Sequence, residues 1–68
     1  GMRVETMKNG TYTVDIRRVN GRFEVSIPEL GEGIQATGAT HDEALENAER
    51  VIMAALMAAA NQPKQKTA

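Results

Sequence analysis

Apolar and polar residues alternate over two short stretches of the chain. Tyr12, Val14 and Ile16 are interleaved with Thr13, Asp15 and Arg17, and Phe23, Val25 and Ile27 with Glu24 and Ser26. A period of two marks a strand with one buried face. Between the runs stands Asn20-Gly21, a pair that accepts positive φ at both central positions of a tight turn and so predicts a two-residue hairpin. That turn fixes the register: 19 faces 22, 17 faces 24, 16 faces 25 and 14 faces 27. Val14, Ile16, Phe23, Val25 and Ile27 then share one face, and Arg17 meets Glu24 on the other. Turn chemistry, alternation and charge pairing agree independently.

Pro28 has no N–H for a ladder and ends the second strand. Residues 29–33, Glu-Leu-Gly-Glu-Gly, read as a loop, followed by a short third strand in which Ile34 and Ala36 alternate with Gln35 and Thr37 up to Gly38. Thr40-His41-Asp42-Glu43 is a capping box, in which Thr40 accepts from the Glu43 N–H and the Glu43 carboxylate reaches back to the N–H of Thr40. The apolar positions beyond it are Ala44, Leu45, Ala48, Val51, Ile52, Ala55, Leu56 and Ala59, at helical i, i+3, i+4 spacing. Glu46, Glu49 and Arg50 take the opposite face, with Glu46 four residues before Arg50 for a weak ion pair. Asn61, with Pro63 beyond, ends the helix. The expected fold is α+β: a three-stranded antiparallel sheet (β-β-β-α) with one long C-terminal helix packed across one face. The domain runs over 12–61 and a flexible polar tail over 62–68. In the segment 1–11, Asn9-Gly10 admits a turn and a short extra strand around Val4 to Met7, which nothing else in the sequence demands.

Composition changes this picture in one respect. Only 13 of 68 residues are Val, Ile, Leu or Phe, and a core that thin supplies only about 3–5 kcal/mol without reinforcement. The chain has no cysteine and a single histidine, which leaves self-association as the expected reinforcement. A helix over 41–61 is roughly 30 Å long, whereas strands of six to eight residues reach about 20–26 Å, so its last turns should overhang the sheet. Those turns are apolar on every side, and Met53, Met57, Ala54 and Ala60 are the expected oligomer interface, most simply across a two-fold axis. Pairing of strand edges through 12–18 or 34–37 is the competing geometry.

Charge is balanced overall at −1 but unevenly spread. Residues 1–28 sum to +2, residues 29–61 to −5, and Lys64 and Lys66 restore +2. Nucleic-acid binding through phosphates calls for a basic stripe, and none is present, so no DNA partner is expected. No apolar run spans a bilayer and no signal-peptide pattern opens the chain, which makes a cytoplasmic protein without membrane attachment the default. Gly1 before Met2 reads as a residue left after removal of an expression tag.

Taken together, Tyr12-x-Val14-x-Ile16, Gly21-x-Phe23-x-Val25-x-Ile27-Pro28-Glu29-Leu30 and Gly38-x-Thr40-x-x-Glu43-Ala44-Leu45-x-Asn47-Ala48 resemble the HicB-like antitoxin domain. The resemblance covers residues 12 to about 56. It implies a three-stranded sheet crossed by a helix, likened to a truncated ribonuclease H fold. It also implies a protein-binding role: many members neutralise a small HicA-like toxin that cleaves messenger RNA, by covering its active site. On this reading Glu29 and Glu32 of the loop and Arg18 and Arg22 at the hairpin tip are the partner contacts. Two features depart from the family pattern. The DNA-binding module of self-repressing members has no counterpart after Asn61, and Gly31-Glu32-Gly33 stands where a Gly-Cys pair is usual.

No catalytic chemistry is expected. Gly31-Glu32-Gly33-Ile34-Gln35-Ala36 matches a dinucleotide fingerprint in letters, but that fingerprint needs its helix to open at the glycines, whereas the capping box comes several residues later. Asp15 lies on the polar face, away from Glu43 and Glu46, so the three do not form a paired-carboxylate metal site. His41 has no second His or Cys to share a metal and reads as an exposed surface side chain, and Ser26 has no base to activate it. No cofactor and no small-molecule substrate are expected. The alternative to an antitoxin is a stand-alone structural or adaptor domain of the same fold, and an adjacent gene for a small basic toxin would favour the first.

Overall fold

The hairpin forms in the expected register. Strand β2 (Tyr12–Val19) pairs with β3 (Arg22–Ser26) so that Ile16 meets Val25, Arg17 meets Glu24 and Val19 meets Arg22. Asn20 and Gly21 have φ of 51° and 79°, the two positive values of a type I′ turn, whose twist matches that of the strands. Arg17 Nε lies 3.8 Å from Glu24 Oε1 on the polar face. The computed structural model describes residues 4–61; the tail expected over 62–68 lies outside them.

The sheet has four strands rather than three. β1 (Val4–Asn9) pairs with β2 along its whole length, from Val4 opposite Arg17 to Asn9 opposite Tyr12. β4 (Ala36–Gly38) closes the far side, giving an antiparallel meander in the order β1-β2-β3-β4. Residues 12–18 are therefore an interior strand, and the expectation that they offer an open edge is corrected: that edge belongs to β1. The β1–β2 connection is Gly10-Thr11, one residue later than expected, with Gly10 at φ 64°.

β3 stops at Ser26, and Pro28–Leu30 form a single 3-10 turn in which the Leu30 N–H donates to Ile27 O at 2.8 Å. β4 begins at Ala36, two residues later than predicted. The Gln35 N–H already donates to Val25 O at 2.7 Å, but Ile34 stays outside the sheet, 49% exposed.

Helix α1 (His41–Asn61) starts through the capping box. The Glu43 N–H donates to Thr40 Oγ1 at 3.1 Å as expected, whereas the Glu43 carboxylate takes the N–H of Ala39, at 2.6 Å, instead of that of Thr40. Because β4 turns into α1 through only Ala39 and Thr40, the helix runs back over the sheet from the Gly38 end. A Cβ on Gly38 would lie 2.7 Å from Ala44 Cα and would also strike the Ala44 nitrogen, so only glycine lets the helix come this close. The core is Val14, Ile16, Val25 and Ile27 from the sheet with Ala44, Ala48 and Ile52 from the helix. Met7, Tyr12, Phe23, Leu30, Ala36, Leu45 and Val51 pack around it. Fully burying one of the Val or Ile side chains contributes about 1.5–3 kcal/mol.

The helical apolar stripe is only partly used. Ala55 is half-buried, but Leu56 is 51% exposed and Ala59 is exposed, so the last turns overhang the sheet. No helix among the described residues is long and apolar enough to cross a membrane.

Candidate functional site

The residues expected to contact a partner fall at two ends of the sheet. Arg18 and Arg22 flank the Asn20-Gly21 turn at the end where α1 starts, and both are exposed. Arg18 belongs to the helix-facing side, with its guanidinium carbon 6.0 Å from the centroid of the Phe23 ring. This is the outer limit of a cation–π contact, and it holds the charge over the rim of the core rather than free at the tip. Glu29 and Glu32 lie at the other end, beyond β3.

The two acids differ in role. Glu29 grips β2 in a bidentate fashion: its Oε1 accepts from the Thr13 N–H at 2.8 Å and its Oε2 from the Thr13 hydroxyl at 2.7 Å. By register Thr13 would face Pro28, where the ladder has ended, so the carboxylate takes a backbone donor that β3 no longer reaches. The Thr13 backbone and hydroxyl bonds, in that order, hold Glu29 below its ordinary pKa of 4.5, with a lesser contribution from the charge of Lys8. Glu32 stands exposed in the glycine loop.

The overhang of α1 carries three of the five large hydrophobic side chains that are exposed among the described residues. Met53 is 58%, Leu56 51% and Met57 56% exposed, and Ala54 and Ala60 are exposed beside them. Glu46, Glu49, Arg50, Met53, Ala54 and Met57 line one open strip along the outer helix, so the methionines adjoin acids rather than neutral residues. Glu46 and Arg50 do not form the expected ion pair; among the described residues Arg17–Glu24 is the one contact of that kind involving Lys or Arg. Since the helix runs back from Gly38, its overhang emerges at the same end as Glu29 and Glu32.

Two further side chains, His41 and Asn47, hold the surfaces in place. His41, expected to be an exposed surface residue, is half-buried. Its Nε2 lies 2.8 Å from Glu5 Oε1 on β1, and its ring meets Phe23 edge-on, with 5.8 Å between centroids and an interplanar angle of 82°. A carboxylate only accepts, so Nε2 carries the proton. Asn47 Nδ2 donates to Thr37 O at 2.7 Å and fastens the helix to β4. Asn47 was legible in principle, because it sits beside Ala44 and Ala48 on the buried stripe, where a polar group needs a partner. The Glu5 contact was not, since it depends on a strand that the alternation does not reveal.

Asp15 accepts from the Thr6 hydroxyl at 2.8 Å on the polar face, opposite to the helix. Among the described residues no group of three or more His, Cys, Asp or Glu side chains comes together in a way that could hold a metal ion. Comparison of the chain with family models, with curated proteins and with solved structures found no match.

Proposed function

We propose that this chain is a protein-binding module of the HicB-like antitoxin type, which neutralises a HicA-like mRNA-cleaving toxin by masking it. The observation that carries a binding role is the overhang of α1: an apolar helical surface, bordered by Glu46 and Glu49 and set at the end of the fold that carries Glu29 and Glu32. The apolar centre suits contact between copies of the chain, while the acids at that end, Glu29 and Glu32, suit a basic partner, since complementary charge speeds encounter.

The HicB-like assignment rests on the motif. Its residues act together: Ile27 is buried, Leu30 packs on the core, Glu29 ties to Thr13, Gly38 admits the helix, and Thr40 with Glu43 caps it. In this reading Glu29, Glu32, Arg18 and Arg22 face the toxin, and Met53, Met57, Ala54 and Ala60 join copies of the chain into a homo-oligomer. The protein works without catalysis and without a cofactor, in the cytoplasm.

The test is co-expression with a small basic toxin encoded beside it. Rescue of growth and co-elution of the two chains are expected, both lost in Glu29→Lys/Glu32→Lys. A toxin that stays active and elutes alone in the presence of the folded protein would reject the antitoxin role and leave an adaptor domain of the same fold.

A further inference from the structure

The sheet has two edges, and they are treated differently. β4 is three residues long, Gly38 lies under the first turn of α1, and the outward carbonyl of Thr37 is taken by Asn47. β1 is six residues long, regular and free of proline, and every one of its residues except Met7 is exposed. Asn9 opposite Tyr12 closes a two-residue turn and is a hydrogen-bonded pair. Such pairs alternate along an antiparallel ladder, so Met7 and Glu5 also bond to β2. The N–H and C=O groups of Val4, Thr6 and Lys8 therefore point away from the sheet.

Exposed edges are ordinarily guarded by short strands, bulges, proline, a covering element or charges on the strand. Here both charged side chains of β1 lean inward over their own sheet: Glu5 to His41 at 2.8 Å and Lys8 Nζ to Thr13 Oγ1 at 3.2 Å. These charges are satisfied within their own sheet, and among the described residues no hydrogen bond reaches the outward N–H and C=O groups of Val4, Thr6 and Lys8.

We propose that β1 pairs antiparallel with β1 of a second copy about a two-fold axis at Thr6, making a continuous eight-stranded sheet with both helices on one face. The strand is self-complementary in this register. Thr6 meets Thr6 of the other copy, Val4 meets its Lys8, and Glu5 meets its Met7, so no like charges face each other. All three outward residues of each copy find outward partners, a set of six main-chain hydrogen bonds. A register centred on Met7 pairs only Thr6 with Lys8 and forms four. This interface uses neither the helix overhang nor the residues assigned to the toxin, and β1 lies outside the segment that resembles the HicB-like family. Its small area places it among weak interfaces, so association depends on concentration.

The experiment uses the Met53→Glu/Met57→Glu chain as its background, which removes the helix interface and keeps the two readings separable. Sedimentation across a concentration series should show a monomer–dimer equilibrium. Adding Thr6→Pro, which deletes an outward N–H that β2 does not use, should weaken the dimer at least about tenfold while circular dichroism stays unchanged. Should Thr6→Pro disturb the fold, Thr6→Cys answers instead: mild oxidation should give a covalent dimer, and Met7→Cys should not. The proposal falls if the background chain is monomeric at every concentration, if Thr6→Pro leaves a folded dimer intact, or if Met7→Cys cross-links and Thr6→Cys does not. It falls equally if Thr6→Pro abolishes toxin binding by a monomeric chain, which would make a partner strand the occupant.

Discussion

The apolar stripe of α1 runs through both halves of the helix, but the two halves live in different surroundings. From His41 to Ile52 the helix is fastened at its cap by Thr40 and Glu43, to β1 by His41, to β4 by Asn47, and to the core by Ala44, Ala48 and Ile52. From Met53 to Ala60 only Ala55 is even half-buried. An isolated helix of this length is marginal in water, and most helical stability in proteins comes from packing an apolar face. The second half thus depends on its alanines, on continuity with the first half, and on whatever it meets outside the chain.

The sharpest way to break the contrast is at its root. Gly38→Ala forces the helix off the sheet by placing a methyl group against the Ala44 backbone, which cannot rotate away. We expect a loss of about 3 kcal/mol or more, enough to leave much of so small a domain unfolded in thermal melts. Next comes the contrast itself: Ile52→Ala should cost about 2–4 kcal/mol, and Leu56→Ala, one turn later, less than about 0.5 kcal/mol. Both are measured by urea unfolding of dilute protein. Equal losses would mean that the overhang is covered even in the monomer.

These contrasts also show what was readable in the amino-acid order. The β2–β3 hairpin was legible because three independent signals met at Asn20-Gly21, and the helix because its cap and stripe agree. β1 was legible only as a strand that Asn9-Gly10 admits, around Val4 to Met7, since its helix-facing residues are Glu5, Met7 and Asn9, and a strand whose inner face is mostly polar leaves no apolar alternation to read. Ile34 misled for the opposite reason: it alternates correctly with Ala36 and yet stands in solvent, because the chain joins the sheet only at Gln35. At the candidate site the sequence placed Met53 and Met57 on an overhanging helix end, and both are exposed. It could not show that Glu29 is tied to Thr13, a contact across 16 residues that exists only because Pro28 ends the ladder.

Two smaller effects sharpen the picture of the attached half. Thr40→Ala removes the acceptor for the Glu43 N–H and should cost about 1 kcal/mol, with the loss appearing as earlier melting of the helix. Glu29→Gln should alter the acid limb of stability. Its folded pKa lies below the ordinary 4.5, so the carboxylate contributes above that value and loses its contribution as pH falls through the folded pKa. Urea midpoints of wild type and Glu29→Gln should therefore differ at neutral pH and converge on acidification. A constant gap across that range would assign the effect to the geometry of the side chain rather than to its charge.

The meander order has a kinetic meaning. Each strand finds its partner in the strand just before it, so the sheet can zip up hairpin by hairpin with little loop to close at any step, a topology associated with rapid folding. During synthesis the N-terminal elements appear first, and the four strands are complete before the first turn of the helix leaves the ribosome. Until Ala44, Ala48 and Ile52 arrive, Val14, Ile16, Val25 and Ile27 form a bare apolar face. The stage at which the nascent chain is most prone to aggregate is therefore short and late, ending when the residues that follow Gly38 fold back over the sheet.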